Sequence, residues 1–256
     1  MKSLVKKIFN NNLIINIRNL FNIYPLHMNM NNILCASVSD AFLWRTDNGF
    51  ETKFKYSDIL NTFFKIEDSW VEIEFYTKNN KLIKTEKILN LDQSNEININ
   101  KKYLNGIEDY GTFYIYHHTN EKFSKENVIS NRCYLGYSYN ANLYSFVHGN
   151  TLTKIKEINK RSEINYDIVK ISPVKNQYYK IQKYFDNLDK NELFFSNPTS
   201  KEINFTINNK DYSLASWCSL MIEIKEKKII EIRSNCLFLR PLIFSYKNDF
   251  LDVHHG

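Results

Sequence analysis

The feature that most limits the fold of this chain is the alternation of apolar and polar residues in short segments. Residues 69–77 have the sequence SWVEIEFYT, so Val71, Ile73 and Phe75 share one face of an extended segment. The polar sequence KNNK at 78–81 then predicts a hairpin turn. Similar alternating segments recur at residues 95–99, 111–117, 202–207 and 229–233. This succession predicts a mainly β protein built from antiparallel β-sandwich-like units.

The length of 256 residues allows one large β domain or two of ordinary size, and a hydrophobic content of 43% suffices for a core. Both halves show strands, Asn-rich turns and apolar strands in a similar order, and each ends in a histidine pair, at 117–118 and at 254–255. This internal repeat predicts two units in tandem. The predicted organisation is a basic helical arm at 1–30, a first β-sandwich-like unit at 31–150, a linker or excursion at 151–190, and a second unit at 191–256.

The N-terminal segment is basic and amphipathic. Residues 1–39 contain no Asp or Glu, and apolar residues follow helical spacing as far as Pro25. The pattern favours an α-helical arm that packs on the core or on a partner subunit. The alternative is a peripheral helix in which residues 1–24 contact an anionic membrane surface. No apolar run approaches the ~18 residues that a transmembrane helix needs, so no membrane span is predicted.

Charge, glycine and cysteine usage argue against several classes of function. The net charge is +6, but lysines and acidic residues are interspersed, so no specific nucleic-acid partner is predicted. The chain has no GxGxxG, GxxxxGK[ST] or GxSxG sequence, which argues against standard nucleotide enzymes and against nucleophilic catalysis. Cys35, Cys133, Cys218 and Cys236 are far apart and lack the spacing of a zinc module, which predicts buried thiols and a cytoplasmic protein.

An aromatic stretch at residues 131–150, NRCYLGYSYNANLYSFVHGN, predicts a tyrosine-rich hairpin that turns at 140–142. Aromatic rings beside planar polar groups suit stacking against a sugar ring or a base. The alternative is structural, because tyrosine is common in strands with its hydroxyl at the rim of a sheet. The predicted ligand-binding residues are Trp44, Arg132, Tyr137, Tyr139, Tyr144, His148, Asn150 and Arg240.

Arg240 is a second marker, because it interrupts the apolar run CLFLRPLIF. A charge in such a run is unfavourable unless it is paired. Pro241 cannot donate a backbone hydrogen bond to a sheet, so this position is an edge, a bulge or a bend. Arg240 therefore either pairs with an acidic residue such as Asp252 as a structural bridge, or faces a carboxylate or phosphate of a ligand.

Catalysis and metal binding are alternatives without a local motif. The chain has neither HxH nor HExxH, and adjacent histidines on a strand point to opposite faces. A site assembled by folding from His148, His254 and Asp252 would suit Zn or Fe(II); otherwise no cofactor is expected. Paired carboxylates for glycoside hydrolysis remain an open alternative. The acids set among aromatic residues are Asp40, Asp47 and Glu51.

Residues 192–255 are similar, at the level of pattern, to the small β-sandwich of sensory-rhodopsin transducers, through a strand, the NPT turn at 197–199, a second strand and an apolar strand. The resemblance includes no specific motif and assigns no site residue. The leading functional prediction is a non-enzymatic binding or assembly module that meets a carbohydrate through its aromatic surface. The alternatives are a metal-dependent or carboxylate-based enzyme that acts on glycans or sugar derivatives, and a structural β protein that forms homo-oligomers.

Overall fold

The protein is mainly β, as the alternation predicts, and contains several antiparallel sheets. A computed structural model describes residues 11–20, 35–121, 127–130, 133–159, 167–169, 171, 177–181, 188–225, 229–236 and 239–256. Those residues contain two helices, α1 (Asn12–Leu20) and α2 (Ile59–Phe64).

The helical arm predicted at 1–30 is not supported. In that segment the structure describes only α1, which has nine residues, and residues 1–10 and 21–30 lie outside the described ranges. Leu13, Ile17 and Leu20 of α1 are exposed, so these three side chains do not pack on the core. No helix in the described ranges is both long enough and apolar enough to cross a membrane. Membrane contact by residues 1–24 stays a prediction.

The described strands belong to five sheets. The strands are β1 (Cys35–Asp40), β2 (Phe42–Arg45), β3 (Phe50–Tyr56), β4 (Trp70–Thr77), β5 (Leu82–Ile88), β6 (Asn95–Ile99), β7 (Tyr110–His118), β8 (Asn127–Ser130), β9 (Tyr134–Tyr139), β10 (Ser145–His148), β11 (Leu152–Glu157), β12 (Gln177–Ile181), β13 (Lys190–Ser196), β14 (Ile203–Ile207), β15 (Lys210–Leu214), β16 (Ser219–Ile224), β17 (Ile230–Ser234), β18 (Leu242–Lys247) and β19 (Phe250–His255). In spatial order the sheets are β11-β1-β8, β2-β7-β4-β5, β10-β9-β3-β6, β16-β13-β18-β19 and β12-β17-β14-β15.

Asparagine closes several of the turns, as the Asn-rich sequence predicts. Asn208 and Asn209 have φ values of 47° and 67° between the antiparallel strands β14 and β15. Two successive residues with positive φ give a turn whose twist matches that of the flanking strands, and asparagine tolerates this backbone. Asn140 and Ala141 also have positive φ, between β9 and β10. The antiparallel pairing of β9 with β10 confirms the hairpin predicted at 131–150.

β1 is the central strand of a three-stranded sheet, and one of its two partners lies where the sequence predicts a linker. β8 pairs with β1 in parallel, and β11, at the start of the predicted linker, pairs with β1 in antiparallel register. Lys156 of β11 is buried, and its Nζ lies 2.6 Å from a carboxylate oxygen of Glu72 and 2.5 Å from one of Glu74. The sequence of β11 resembles that of a surface linker because it contains a charged lysine. In the fold this lysine is buried and paired with carboxylates. The boundaries of the two units stay a prediction.

The sheet β16-β13-β18-β19 is covered on both faces. Phe194 of β13 and Phe244 of β18 belong to the same core as Phe50 and Tyr137 of the first half. Side chains alternate along a strand, so Leu193 of β13 lies in a second core, with residues of β12-β17-β14-β15. The core of the first half is therefore completed by one face of a sheet from the second half.

A buried ion-pair network joins the two halves at this shared core. Arg45, at the end of β2, is 2% exposed, and its Nη1 lies 2.7 Å from Glu192 and 3.1 Å from the hydroxyl of Tyr246. Its Nε and Nη2 each donate a 2.9 Å hydrogen bond to Asp47. We call these four residues the Arg45 network. Burial raises the pKa of Glu192, but the charge of Arg45 and hydrogen bonds from its neighbours outweigh burial and hold that pKa at about 2.

Candidate functional site

Four side chains form an exposed aromatic patch on the outer face of the sheet β10-β9-β3-β6. We call Tyr134, Tyr144, Phe146 and His148 the aromatic platform. Across the hairpin His148 pairs with Tyr134 and Phe146 pairs with Gly136, so the patch lies on the face opposite the core. Tyr134 is 49% exposed and Phe146 is 43% exposed. The centroids of the Tyr134 and His148 rings are 4.6 Å apart, and those of Tyr144 and Phe146 are 6.0 Å apart, so the rings form two pairs on the same face of the sheet.

Phe146 can lie across the neighbouring strand because its partner there is a glycine. A Cβ atom at Gly136 would come within 2.6 Å of the Phe146 ring, and three ring atoms would lie within 3.0 Å of it. Any other residue at position 136 would therefore push the ring away from the sheet. With glycine, the ring rests against the backbone of β9 and much of it stays open to solvent.

Charged side chains from β3 and β6 flank the rings. Nζ of Lys53 lies 4.8 Å from the centroid of the Tyr144 ring, and Nζ of Lys55 lies 5.3 Å from that of Phe146. The carboxylate of Glu96, on β6, pairs with both lysines: its Oε1 lies 2.8 Å from Lys53 Nζ, and its Oε2 lies 3.4 Å from Lys55 Nζ. A cation near an aromatic face is attracted by the ring, and a shared carboxylate fixes the lysines in place. The platform thus has hydrogen-bonding groups beside its rings.

Three residues predicted to bind a ligand point into the core instead. Trp44 and Tyr137 are fully buried, and their polar atoms are used internally: Trp44 Nε1 donates to the carbonyl of Tyr76 at 2.8 Å, and the Tyr137 hydroxyl donates to that of Leu43 at 3.0 Å. Tyr139 is half-buried and packs against the same core. Side chains alternate along β9, so Tyr134 lies on the face opposite Tyr137 and Tyr139 and is exposed. Arg132 lies outside the described residues.

Two other predicted residues, Asn150 and Arg240, are brought together just beyond the end of β10. Asn150 Nδ2 donates to the carbonyl of Arg240 at 2.8 Å, and Arg240 Nη2 donates to the carbonyl of Asn150 at 3.4 Å. Asn150 is 8% exposed, and its Oδ1 has no hydrogen-bond partner among the described residues. His255 lies at the end of β19. Burial is the main cause that lowers the pKa of its imidazole to about 4, and the positive charge of Arg240 adds to this effect.

Asp40 adds a carboxyl group to this end of the platform. It lies against Gly149, where a Cβ atom would overlap the Asp40 carboxylate and come within 2.6 Å of the Phe42 ring, so only glycine fits. Burial raises the pKa of Asp40 to about 7, and the positive charge of Arg240 opposes this effect. Asp40 therefore changes its charge near neutral pH within the field of the Arg240 guanidinium. Asp40, Asn150, Arg240 and His255 are called the Arg240 cluster below.

The raised pKa of Asp40 predicts how stability depends on pH. The ordinary pKa is 3.8, so between about pH 4 and pH 7 the folded protein binds a proton that the unfolded chain does not, and stability falls as pH rises through this window. We expect Asp40→Asn to raise Tm by about 5 °C at pH 8 and by much less at pH 5, because the amide does not ionise. Thermal unfolding at both pH values measures this. Asp92→Asn removes an exposed charge as a control, and an equal gain at both pH values would contradict the prediction.

The metal site predicted from His148, His254 and Asp252 stays a prediction. His254 and Asp252 are in contact, with 3.3 Å between Nδ1 and Oδ2. In the part of the chain that the structure describes, no group of three or more His, Cys, Asp or Glu side chains is arranged to hold a metal ion. Both alternatives for Arg240 stay predictions: its charge acts on the carboxyl group of Asp40, and its side chain is exposed.

The carboxylates considered for catalysis have separate environments. Asp47 is bound by Arg45 in the buried network, and Glu51 accepts a 3.4 Å hydrogen bond from the hydroxyl of Tyr144. Asp47 and Glu51 therefore do not favour carboxylate-based catalysis as a pair.

None of the four cysteines, all of which are described, forms a disulfide.

Sequence reasoning missed Tyr134, Phe146 and Gly149 as parts of the site. Alternation separates Tyr134 from Tyr137, but it does not say which face of the hairpin is covered by another sheet. Two glycines in the hairpin could have pointed to these residues. Gly136 leaves room for the Phe146 ring, and Gly149 leaves room for the Asp40 carboxylate. The chain matches no protein-family model and shows no significant match to a curated protein.

Proposed function

We propose that this chain is a non-enzymatic binding module that holds a carbohydrate on the aromatic platform. The observation that carries the proposal is the exposed ring of Phe146, seated on Gly136 and flanked by Tyr144. Exposed aromatic rings offer a large apolar face with little conformational freedom to lose. The C–H face of a pyranose ring is the part of a sugar that stacks on such a surface.

The charged rim supports the same ligand class. Sugar hydroxyls both donate and accept hydrogen bonds, so they need donors and acceptors close to the stacking surface. Lys53 and Lys55 supply donors, and Glu51 and Glu96 supply acceptors, on the strands next to the rings. A wholly apolar partner would leave these groups without compensation for lost water.

The platform is built on a rigid support. The residues behind it, among them Leu135, Tyr137 and Val147, are buried in the core of the sandwich. A side chain held by packed strands loses less entropy on binding than one on a flexible loop, and this preorganisation favours affinity.

We expect Phe146→Ala to weaken glycan binding by about tenfold or more, because it removes the central stacking ring. Gly136→Ala is the sharper variant, since it leaves every ring in the protein and displaces only the ring of Phe146. A glycan array identifies the ligands, and isothermal titration of the best one measures the loss in both variants.

Phe63→Ala is the matched control. Phe63 of α2 is 72% exposed and lies outside the platform, so its removal should leave affinity unchanged. An absence of glycan binding by the wild type would refute the proposal. A dimer that dissociates in Phe146→Ala, seen by analytical ultracentrifugation, would assign the platform to self-association, the structural alternative that the sequence also suggests.

A further inference from the structure

Positively charged side chains lie at both ends of the aromatic platform. At the Tyr144 end, Lys53 and Lys55 share one carboxylate, that of Glu96. At the His148 end, Arg240 is exposed, and its charge acts on the buried carboxyl group of Asp40. No ion pair within 4.0 Å joins Arg240 to a carboxylate among the described residues, so its exposed guanidinium can bind a charged ligand.

Arg240 is held in place by the backbone around it. Asn150 Nδ2 binds its carbonyl at 2.8 Å, its own Nη2 reaches the Asn150 carbonyl at 3.4 Å, and Pro241 restricts the next φ angle. Asn150 follows His148 by two residues, so these bonds tie Arg240 to the strand that carries the platform. A fixed arginine loses less freedom on binding than a mobile surface lysine does.

The end of β19 links Arg240 to the strand that carries the platform. The backbone N–H of Gly256, just after β19, donates to the carbonyl of Pro241 at 2.9 Å. β19 also contacts β10 directly, because the backbone N–H of Val253 donates to the hydroxyl of Ser145 at 2.9 Å. Arg240 therefore lies near the end of β10, the strand that carries Phe146 and His148.

We infer that the carbohydrate is acidic, with a carboxylate that Arg240 binds at the His148 end of the platform. The ligand class is an oligosaccharide that contains uronic acid residues. This inference rests on the proposed function and names its substrate class. The planar guanidinium can offer two parallel N–H donors to a planar carboxylate, which is a stronger and more specific pairing than a single hydrogen bond.

Asn150 supplies a complementary group beside that carboxylate. Its Oδ1 is buried and has no hydrogen-bond partner in the described ranges. In a uronic acid, hydroxyl groups neighbour the carboxylate on the same ring, and one of them would donate to this acceptor. A buried acceptor that gains a partner only when ligand is bound adds to specificity.

The test uses matched pairs of oligosaccharides. Each pair contains an oligouronate and the same oligomer after reduction of its carboxyl groups to hydroxymethyl groups, for galacturonate, glucuronate and mannuronate series. Titration calorimetry of the intact chain with both members is expected to show about tenfold tighter binding of the acidic one in at least one pair. Arg240→Gln is expected to abolish that preference, because it removes the guanidinium that pairs with the carboxylate.

Two further variants separate charge from folding. Arg240→Lys keeps the charge but not the paired donors, so part of the preference should remain. Arg233→Gln removes another exposed arginine, on β17 in a different sheet, and should change nothing. Equal affinity for acidic and reduced oligomers, or a preference that persists in Arg240→Gln, would overturn the inference while the proposed function stands. Failure of every oligomer to bind, together with a blank glycan array, would overturn both.

Discussion

Replacement of Arg45 by alanine is expected to lower the free energy of unfolding by about 3–5 kcal/mol. The side chain is 2% exposed and neutralises Glu192 in the shared core. Without it, the mostly buried carboxylate of Glu192 would keep only its 2.7 Å ion pair with the partly exposed Lys190 and its hydrogen bond from Tyr246, which compensate less well for its lost hydration. The loss arises mainly from the charge that is left behind, not from the net strength of the ion pair.

Denaturation with guanidinium chloride at pH 7 measures this loss. Lys101→Ala is the control, because Lys101 and Glu108 are 2.6 Å apart but both are more than half exposed. Such a surface pair should contribute less than about 1 kcal/mol. A double-mutant cycle with Glu192→Gln should show strong coupling to Arg45. A loss below about 1 kcal/mol for Arg45→Ala would contradict the prediction and would mean that Lys190 suffices to compensate the charge of Glu192.

The same pair predicts a response to acid. The pKa of Glu192 is held at about 2 in the folded protein, against an ordinary value of 4.5. The stabilisation from its charged form is therefore complete above about pH 4.5 and is lost progressively as pH falls towards 2. The difference in stability between wild type and Glu192→Gln should narrow over that range.

Gly111→Ala is expected to be the most harmful single-methyl change, with a loss of about 3 kcal/mol. Gly111 of β7 packs against both partners of a 2.8 Å hydrogen bond, which runs from Trp44 Nε1 to the carbonyl of Tyr76. A Cβ atom there would overlap that carbonyl oxygen and come within 2.9 Å of the indole nitrogen. Because the carbonyl belongs to a paired strand, it cannot move aside as an exposed side chain could.

Chemical denaturation of Gly111→Ala measures the loss, and Gly106→Ala is the comparison. A Cβ atom at Gly106 would meet nothing within 4 Å, although its φ of +88° makes alanine unfavourable by about 1 kcal/mol. The two variants add the same methyl group, so the difference between them reports the clash. Equal losses would show that β7 shifts at no energetic cost.

Much of the strand pattern could be predicted because it is local. Alternation at 69–77 and 95–99 predicts β4 and β6 closely, and the Asn-rich sequence predicts the turn at Asn208 and Asn209, although not the strand β15 that follows it. The pairing of β1 with β8 and β11 could not be predicted in this way. β8 and β11 lie far from β1 in the sequence, so their pairing with β1 leaves no local signal. The buried Lys156 also gives β11 a polar sequence.

The candidate site was predictable in its location but not in its orientation. The hairpin at 131–150 was identified, yet Tyr137 was expected on the surface and is buried. Which face of a hairpin is covered depends on the sheet that packs against it, here one that includes Phe244. Arg240 and Asn150 were marked by their unusual settings, but only the fold shows that they contact each other.

The sharing of one core by distant strands has a consequence for the newly made chain. Proteins are synthesised from the N-terminus, and Arg45 emerges 147 residues before Glu192. Phe244 is made later still, and until β18 has emerged Phe50 and Tyr137 cannot contact it, so a ribosome-bound chain exposes an apolar face. Chaperones bind such apolar surfaces, and the first half can complete its core only after β18 has been synthesised.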